Sequence, residues 1–330
     1  MLELVIIIVA VALLFDFLNG LNDAANSIAT IVSTRVLKPR TAVLWAAWWN
    51  FAAAFGFGVS IATTIGKGIV DASIVSEGVI LGALIGAIVW TAVASFYGLP
   101  ISVSHSLIGG LLGAGVAKAG TDVIVSEGIS KVLLFIALSP IFGLLVGFAL
   151  MATLSNIFRH SVPAKVNRHF RRFQLISGAA YSFGHGTNDA QKTMGIIAIL
   201  LFSSGYLGPT FYVPVWVILA AHAAIALGTL IGGWRVVRTM GMKLTHLTPQ
   251  GGFSAETAAA LTLVGTAYAG IPVSTTHTIA GGIMGVGSTR RLSAVRWGIA
   301  RRIVVAWILT IPMTAGIAAL SYMALASLIP

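Results

Sequence analysis

The sequence predicts an all-α polytopic membrane protein composed of two related halves, and three observations support this prediction. Of the 330 residues, 57% are hydrophobic and 9% are charged, whereas a soluble domain usually contains about 25% charged residues. Apolar runs recur along the whole chain, and about 20 such residues suffice to cross a bilayer. Two different motifs each occur twice, in the same order. The chain is therefore expected to cross a membrane repeatedly, as two copies of one arrangement.

Apolar runs separated by short polar connections define ten predicted spans. The first, MLELVIIIVAVALLF, has neither a basic segment before it nor a small-residue cleavage pattern. It is therefore interpreted as a span and not as a removed signal peptide. The sequence contains no cysteine, which excludes disulfides, thiolate catalysis and cysteine-ligated metal. The predicted spans are 2–19, 41–63, 79–97, 99–118, 132–157, 174–202, 214–234, 252–269, 270–288 and 297–326.

The net charge of +11 comes mainly from basic residues in four short connections. Short loops rich in Lys and Arg remain in the cytoplasm, so this charge predicts topology and gives no reason to expect nucleic acid. The more acidic connections 64–78 and 119–131 are then expected outside. The basic connections are 35–40, 159–172, 235–243 and 290–302.

This topology makes the two halves start in opposite directions. The first span runs inward, and the span that follows the basic connection 159–173 runs outward. The sequence therefore predicts two inverted-topology repeats, 1–158 and 174–330, joined by that cytoplasmic connection. Inverted repeats are typical of secondary transporters, whose binding site lies near the middle of the membrane between the repeats.

The first repeated motif places a carboxylate inside apolar sequence: GLNDAANSIAT at 20–30 and GTNDAQKTMGI at 186–196. A carboxylate at membrane depth costs at least ~2.5 kcal/mol and persists mainly where it has a function. The alternative is an aqueous helix end just past the bilayer, which the repetition disfavours. Gly20 and Gly186 are expected to unwind the helix and produce broken helices, which expose oxygen ligands for a small hard cation. The predicted cation ligands are Asn22, Asp23, Asn26, Asn188 and Asp189, with sodium expected at the two aspartates.

The second repeated motif combines a proline, hydroxyl groups and a glycine-rich helix: GLPISVSHSLIGG at 98–110 and GIPVSTTHTIAGG at 270–282. Pro100 and Pro272 break the preceding helix, and the free N–H groups that start the next helix favour an anion. The alternative is that the hydroxyls and glycines only join packed helices. The predicted anion-binding residues are Ser102, Ser104, Ser274, Thr275, Thr276 and Gln191.

Four further ionisable residues could couple ion and substrate, and each has a simpler alternative. Lys192 either neutralises Asp189 or contacts the substrate. The histidines 105 and 277 either shuttle protons near neutral pH or form hydrogen bonds at helix ends. Glu256 either faces a cavity or lies in a first helical turn, where an acid suits the dipole. His185, His222 and Asp16 have weaker support. The candidate coupling residues are Glu256, Lys192, His105 and His277.

Together, the four motifs resemble the paired signatures of the inorganic phosphate transporter (PiT) family, in its prokaryotic low-affinity type. The resemblance covers nearly the whole chain. It implies cation-coupled phosphate uptake by an inverted-repeat fold with re-entrant helical hairpins, so the predicted spans 99–118 and 270–288 would be parts of such hairpins. The short connection 159–173 stands where animal members have a long hydrophilic loop.

The resemblance also assigns residues. The essential aspartates of the family fall on Asp23 and Asp189, and its essential serines fall on Ser102 and Ser274. A glutamate of the animal members falls on Glu256. Its first-half counterpart falls on Asn50, where this chain lacks the acid, so the type and number of cations stay open.

The predicted function is secondary active transport: symport of inorganic phosphate with a cation, sodium or proton, by alternating access. Co-bound cations would offset the roughly 2.3 kcal/mol per charge per 100 mV that opposes anion entry. The alternatives are a sulfate permease on the same scaffold, a passive channel, and an intramembrane Ser/His hydrolase. The hydrolase is disfavoured because two equivalent serine motifs fit a symmetric binding site better than one activated nucleophile. No cofactor beyond the co-transported cation is expected, and membrane lipid is an expected partner in the cell inner (plasma) membrane. A homo-oligomer stays open.

Overall fold

The structure is a computed structural model that describes residues 2–56, 58–63, 69–271 and 273–327. Pro272 and the part 64–68 of the predicted outer connection lie outside the described residues. The helices with defined bounds are α1 (Leu2–Ser33), α2 (Pro39–Ala52), α3 (Glu77–Tyr97), α4 (Val103–Ala119), α5 (Ser126–Ile157), α6 (Pro163–Ser203), α7 (Val215–Ile231), α8 (Trp234–Arg238), α9 (Pro249–Tyr268), α10 (Thr275–Ser288) and α11 (Trp297–Leu325).

The predicted all-α membrane architecture is confirmed, but the ten simple crossings are not. Among the described residues, α1, α3, α5 and α11 are each long and apolar enough to cross a membrane. A fifth span exists if α7 and the helical segment Trp234–Lys243, which meet at a 63° bend, are counted as one. Helices α4 and α10 have 17 and 14 residues. At 1.5 Å per residue they are shorter than the ~30 Å hydrocarbon core, so neither crosses it alone.

Helices α1 and α6 run without interruption through the Asn-Asp motifs, so the predicted unwinding at Gly20 and Gly186 is wrong. The reason these positions are glycine is close packing. A methyl group at Gly20 would overlap the carbonyl oxygen of Ile225 in α7, and one at Gly186 would overlap that of Asn50 in α2. The glycines therefore bring helix backbones together around the polar motifs.

The basic connection between the halves is also more ordered than predicted. Helix α6 begins at Pro163, so most of 159–173 is helical. Proline suits the first turn of a helix, where its missing N–H would have no partner. The basic side chains of this segment therefore extend α6 beyond its apolar part.

Two helical hairpins, α3–α4 and α9–α10, contain the second repeated motif near their tips. Gly98 and Gly270 occupy equivalent positions in the two copies, and both have φ of +66°. This left-handed backbone conformation ends the first helix of each hairpin at little steric cost only for glycine. The repeated glycine therefore ends the first helix of each hairpin.

Each hairpin packs against the last helix of the other half: α4 contacts α11, and α10 contacts α5. A methyl group at Gly109 or Gly113 of α4 would overlap the backbone of α11. One at Gly281 or Gly285 of α10 would overlap that of α5. These glycines thus act in packing, as one of the two sequence interpretations held. The exchange is reciprocal, as two related halves would produce.

The Asn-Asp pairs themselves, 22–23 and 188–189, lie between two clusters of buried apolar side chains. Along α1, Val5–Phe15 belongs to the first cluster and Ala25–Ile31 to the second. Along α6 the order is reversed, because Tyr181 belongs to the second cluster and the stretch 190–201 to the first. The two helices therefore run in opposite senses past a shared polar layer.

Candidate functional site

Asp23 and Asp189, one from each Asn-Asp motif, come together in the polar layer with His185. All three side chains are buried, with at most 1% of each residue exposed. Nε2 of His185 lies 3.2 Å from Oδ2 of Asp189 and 3.6 Å from Oδ2 of Asp23. One ligand atom from each residue lies within 4.8 Å of the others. Two carboxylates and an imidazole in this arrangement can hold a cation.

Lys192 brings a positive charge to Asp189. Its Nζ donates to Oδ1 of Asp189 at 2.5 Å, to the backbone oxygen of Val273 at 2.9 Å and to the hydroxyl of Ser104. Only 2% of the residue is exposed. Of the two roles predicted for Lys192, charge neutralisation of Asp189 is the one its contacts show.

Hydroxyl groups at the start of α10 face both carboxylates. The Thr275 hydroxyl lies 3.1 Å from Oδ2 of Asp189 and 3.3 Å from Oδ2 of Asp23. The Thr276 hydroxyl lies 3.4 Å from Oδ1 of Asp23 and accepts a 2.8 Å hydrogen bond from Nδ2 of Asn26. The tip of the second hairpin therefore closes over the aspartate pair.

The contacts between motifs and hairpins repeat across the two halves. Asn26 of α1 bonds Thr276 of α10, and Lys192 of α6 bonds Ser104 of α4. These four residues occupy equivalent positions in their motifs, at offsets of 166 and 172 in the sequence. Each Asn-Asp helix is thus joined to the hairpin of the other half.

A chain of hydrogen bonds holds the His185 ring at Nδ1, the nitrogen that points away from the aspartates. Nδ1 lies 3.0 Å from Oδ1 of Asn50, whose Nδ2 donates to the Thr229 hydroxyl at 3.0 Å. The Thr229 hydroxyl in turn donates to the backbone oxygen of Ile225 at 2.8 Å. Asn50, which stands where the family resemblance would place an acid, therefore orients the imidazole toward the carboxylates.

Ser102 and Ser274 cap the helices α4 and α10. Each hydroxyl accepts a hydrogen bond from the backbone N–H three residues later, at 3.3 Å from His105 and 3.2 Å from His277. Neither serine bonds a histidine ring, so the nucleophile and base geometry of a hydrolase is absent from these two described pairs. Their role in phosphate binding stays a prediction.

Three predicted ligands bond groups outside the aspartate pair. Asn22 donates to the Ser95 hydroxyl at 2.7 Å. Asn188 donates to the backbone oxygens of Gly184 and Leu263. Oε1 of Gln191 accepts from the backbone N–H groups of residues 61 and 62. The free side-chain oxygens of Asn22 and Asn188 are buried without a hydrogen-bond partner, which leaves them available to a ligand.

The histidines of the second motif meet each other rather than the aspartates. The rings of His105 and His277 lie edge to face with centroids 4.8 Å apart, and His277 stacks on Trp307 at 3.8 Å. Glu256 bonds Gln174 at 2.8 Å and Ser177 at 2.5 Å. These contacts are with residues other than Asp23 and Asp189. The coupling roles of His105, His277 and Glu256 therefore stay predictions.

His185 is the member of the cluster that sequence reasoning ranked too low. It precedes Asp189 by four residues on an uninterrupted helix, so the two side chains share one face. That spacing was a usable signal.

Comparison with known proteins gives a consistent result. Residues 19–318 match the phosphate transporter family. The chain is 57% identical over 317 residues to the probable low-affinity inorganic phosphate transporter of Rhizobium meliloti (strain 1021), covering 96% of this chain and 95% of that protein. Its identity to the equally described protein of Bacillus subtilis (strain 168) is 43% over 324 residues, covering 98% and 97%.

A solved structure described as the sodium-dependent phosphate transporter has the same fold. It superposes with a TM-score of 0.87 at 27% sequence identity, covering 99% of this chain and 100% of that chain. The chain is thus a multi-pass transport protein of the plasma membrane rather than an enzyme. It belongs to the phosphate transporter family.

Proposed function

We propose that this protein carries inorganic phosphate across the membrane together with a cation, sodium or proton, by alternating access. The observation that carries the proposal is the meeting of Asp23 and Asp189, from the two motif copies, under the Thr275 hydroxyl in a fully buried layer. The names of its relatives supply the substrate, and the name of the solved structure supplies the sodium dependence.

The carboxylate pair is the proposed cation site. A buried carboxylate needs a compensating charge, and the described contacts of the Asp23 Oδ atoms include the Thr275 and Thr276 hydroxyls and His185, none of which carries a fixed positive charge. A bound cation would supply that charge. Sodium prefers oxygen ligands, as the carboxylates and hydroxyls here provide.

Phosphate is proposed to bind beside the cation, at the starts of α4 and α10. Both helices begin there, so their N-terminal N–H groups and dipoles favour an anion. Ser104, Thr275 and Thr276 place hydroxyls at the same point. A cation at the carboxylates would attract the phosphate and offset the cost of moving its charge against the membrane potential.

Alternating exposure of this site follows from the proposed inverted repeats, 1–158 and 174–330. The opposite senses of α1 and α6, and the reciprocal packing of the hairpins, support this relation. In such folds one group of helices rocks against another around a site at the repeat interface.

The experiment is uptake of radiolabelled phosphate into proteoliposomes, with a sodium gradient or a proton gradient imposed separately. Under one of the gradients, the internal phosphate concentration should rise above its equilibrium value. This accumulation should stop when that gradient is collapsed. Asp23→Asn should abolish the cation dependence. Asp71→Asn, the same change at an exposed carboxylate, is the matched control and should transport normally.

Two results would contradict the proposal. Uptake that follows only the phosphate gradient, whatever the cation, would indicate a channel. Equal inhibition of labelled phosphate uptake by unlabelled sulfate and by unlabelled phosphate would favour the alternative that the protein is a sulfate permease.

A further inference from the structure

The two Asn-Asp motifs differ in charge three residues after the carboxylate. Three residues after Asp23 the chain has Asn26, and three residues after Asp189 it has Lys192. Both side chains reach the hairpin of the opposite half from equivalent places. Among the described residues, Lys192 is the only Lys or Arg that is buried. Burying a charged side chain costs free energy unless it is paired with an opposite charge.

The contacts of the Lys192 ammonium are those of a bound metal cation. Its three N–H donors point to a carboxylate oxygen of Asp189, the Ser104 hydroxyl and the Val273 backbone oxygen. Carboxylate, hydroxyl and carbonyl oxygens are also the ligands that hard cations prefer. The ammonium therefore fills an oxygen cage that could otherwise take a mobile ion.

We propose that Lys192 is a tethered cation that permanently occupies the Asp189 side of the site. The protein would then carry one cation fewer per phosphate than a chain with a neutral side chain at this position. This inference rests on the proposed symport, and it identifies Lys192 as the residue that sets the cation-to-phosphate ratio.

Charge counting supports this assignment. Replacing Lys192 by a neutral residue adds one negative charge, whatever the protonation of His185. The side that remains for a mobile ion is that of Asp23, since its contacts within the described part of the chain are with hydroxyls and an imidazole and not with an ammonium.

The test is the number of cations moved per phosphate by Lys192→Asn, which gives α6 the residue that α1 has. Proteoliposomes with the membrane potential clamped to zero and a tenfold cation gradient report this number as the phosphate gradient at which net flux stops. One more cation should raise that phosphate gradient about tenfold. An unchanged gradient in a folded, transporting Lys192→Asn protein would overturn the proposal.

The reciprocal variant is Asn26→Lys, which places an ammonium three residues after Asp23. It should remove the remaining mobile cation, so phosphate uptake should lose its dependence on the cation gradient. Asn156→Lys, the same change at an exposed position of α5, is the matched control and should keep that dependence. Full cation dependence in a transporting Asn26→Lys protein would contradict the proposal.

A neutral pair covers the case in which the single variants do not fold. Asp189→Asn alone leaves the buried ammonium unpaired, whereas Asp189→Asn combined with Lys192→Asn removes both charges. The double variant should recover part of the uptake lost in Asp189→Asn, at the wild-type cation ratio. A double variant that folds but recovers no uptake, or that changes the ratio, would overturn the inference.

These results are separable from the proposed function. If the wild-type protein shows no cation-coupled phosphate uptake, the symport itself is wrong. If the wild type is coupled and the Lys192→Asn ratio equals the wild-type ratio, only the tethered cation is wrong.

Discussion

The two copies of the Asn-Asp motif have the same backbone and different charges. In α1, Asp23 has amides one turn before and after it, at Asn19 and Asn26. In α6 the equivalent neighbours of Asp189 are His185 and Lys192, and both contact its carboxylate. The two equivalent motifs therefore supply two carboxylates, of which Asp189 has the Lys192 ammonium as a partner. In the proposed mechanism the Asp23 side holds an exchangeable ion, while Asp189 is already neutralised.

The hairpin tips also differ, and again the second half supplies the polar group. Thr275 at the start of α10 contacts both aspartates, whereas its first-half equivalent Val103 packs in an apolar cluster. The second half thus contributes more of the polar contacts to a site that both halves enclose. Symmetry of the fold does not imply symmetry of the binding chemistry.

The largest difference is expected between Asp189→Asn and Asp23→Asn. Removing one partner of a buried ion pair costs about 3–5 kcal/mol, because the other charge stays buried. Asp189→Asn leaves the buried Lys192 ammonium unpaired in this way, but Asp23→Asn leaves no ammonium unpaired. Both should lose cation-coupled transport, and only Asp189→Asn should melt several degrees lower in detergent. Equal melting temperatures of the two variants would show that the two aspartates do not differ in how they are paired.

A smaller difference is expected between Thr275→Val and Val103→Thr. Thr275→Val removes a hydroxyl that donates to a carboxylate, an interaction worth about 1.5–3 kcal/mol. The apparent cation affinity in the uptake assay should fall about 10-fold or more. Val103→Thr makes the opposite exchange in an apolar cluster and should leave that affinity nearly unchanged. Similar losses in both would show that the two tips contribute alike.

The smallest difference is expected between Ser102→Ala and Ser274→Ala. Both serines cap their helix through the same hydrogen bond, and loss of such a cap costs about 1 kcal/mol. The two variants should lose equal stability in thermal unfolding, with less loss of phosphate affinity than Thr275→Val. A phosphate affinity that falls in one variant alone would show that this serine contacts the substrate.

Hydropathy predicted helix bounds well where apolar runs end at a turn. The predicted span 79–97 corresponds to α3 (Glu77–Tyr97), which ends because Gly98 takes up a left-handed conformation. The prediction failed at α1, placed at 2–19, because the helix continues to Ser33 through polar residues. Those residues bond partners on other helices, such as Ser95 and Thr276. A hydropathy count treats them as if they faced lipid.

The sequence predicted both acids and a set of candidate hydroxyls, but not which hydroxyls contact the acids. Repetition of the motif predicted a shared role for Asp23 and Asp189, and the structure brings the two side chains together. Which hydroxyls reach them depends on helix rotation at the hairpin tip. Ser274 turns back to cap its helix, and Thr275, the next residue, faces the carboxylates. A difference of one residue in the first turn decides this, and sequence spacing does not encode it.

The exchange of hairpins between the halves also has a consequence for biosynthesis. The glycine face of α4 is covered by α11, so it stays uncovered until α11 has been made. At about 5–20 residues per second, the roughly 200 residues between Gly109 and Ile311 take about 10–40 s to synthesise. The glycines of α10 find α5 already inserted. The first hairpin must therefore remain incompletely packed in the bilayer until α11, which is made later, covers it.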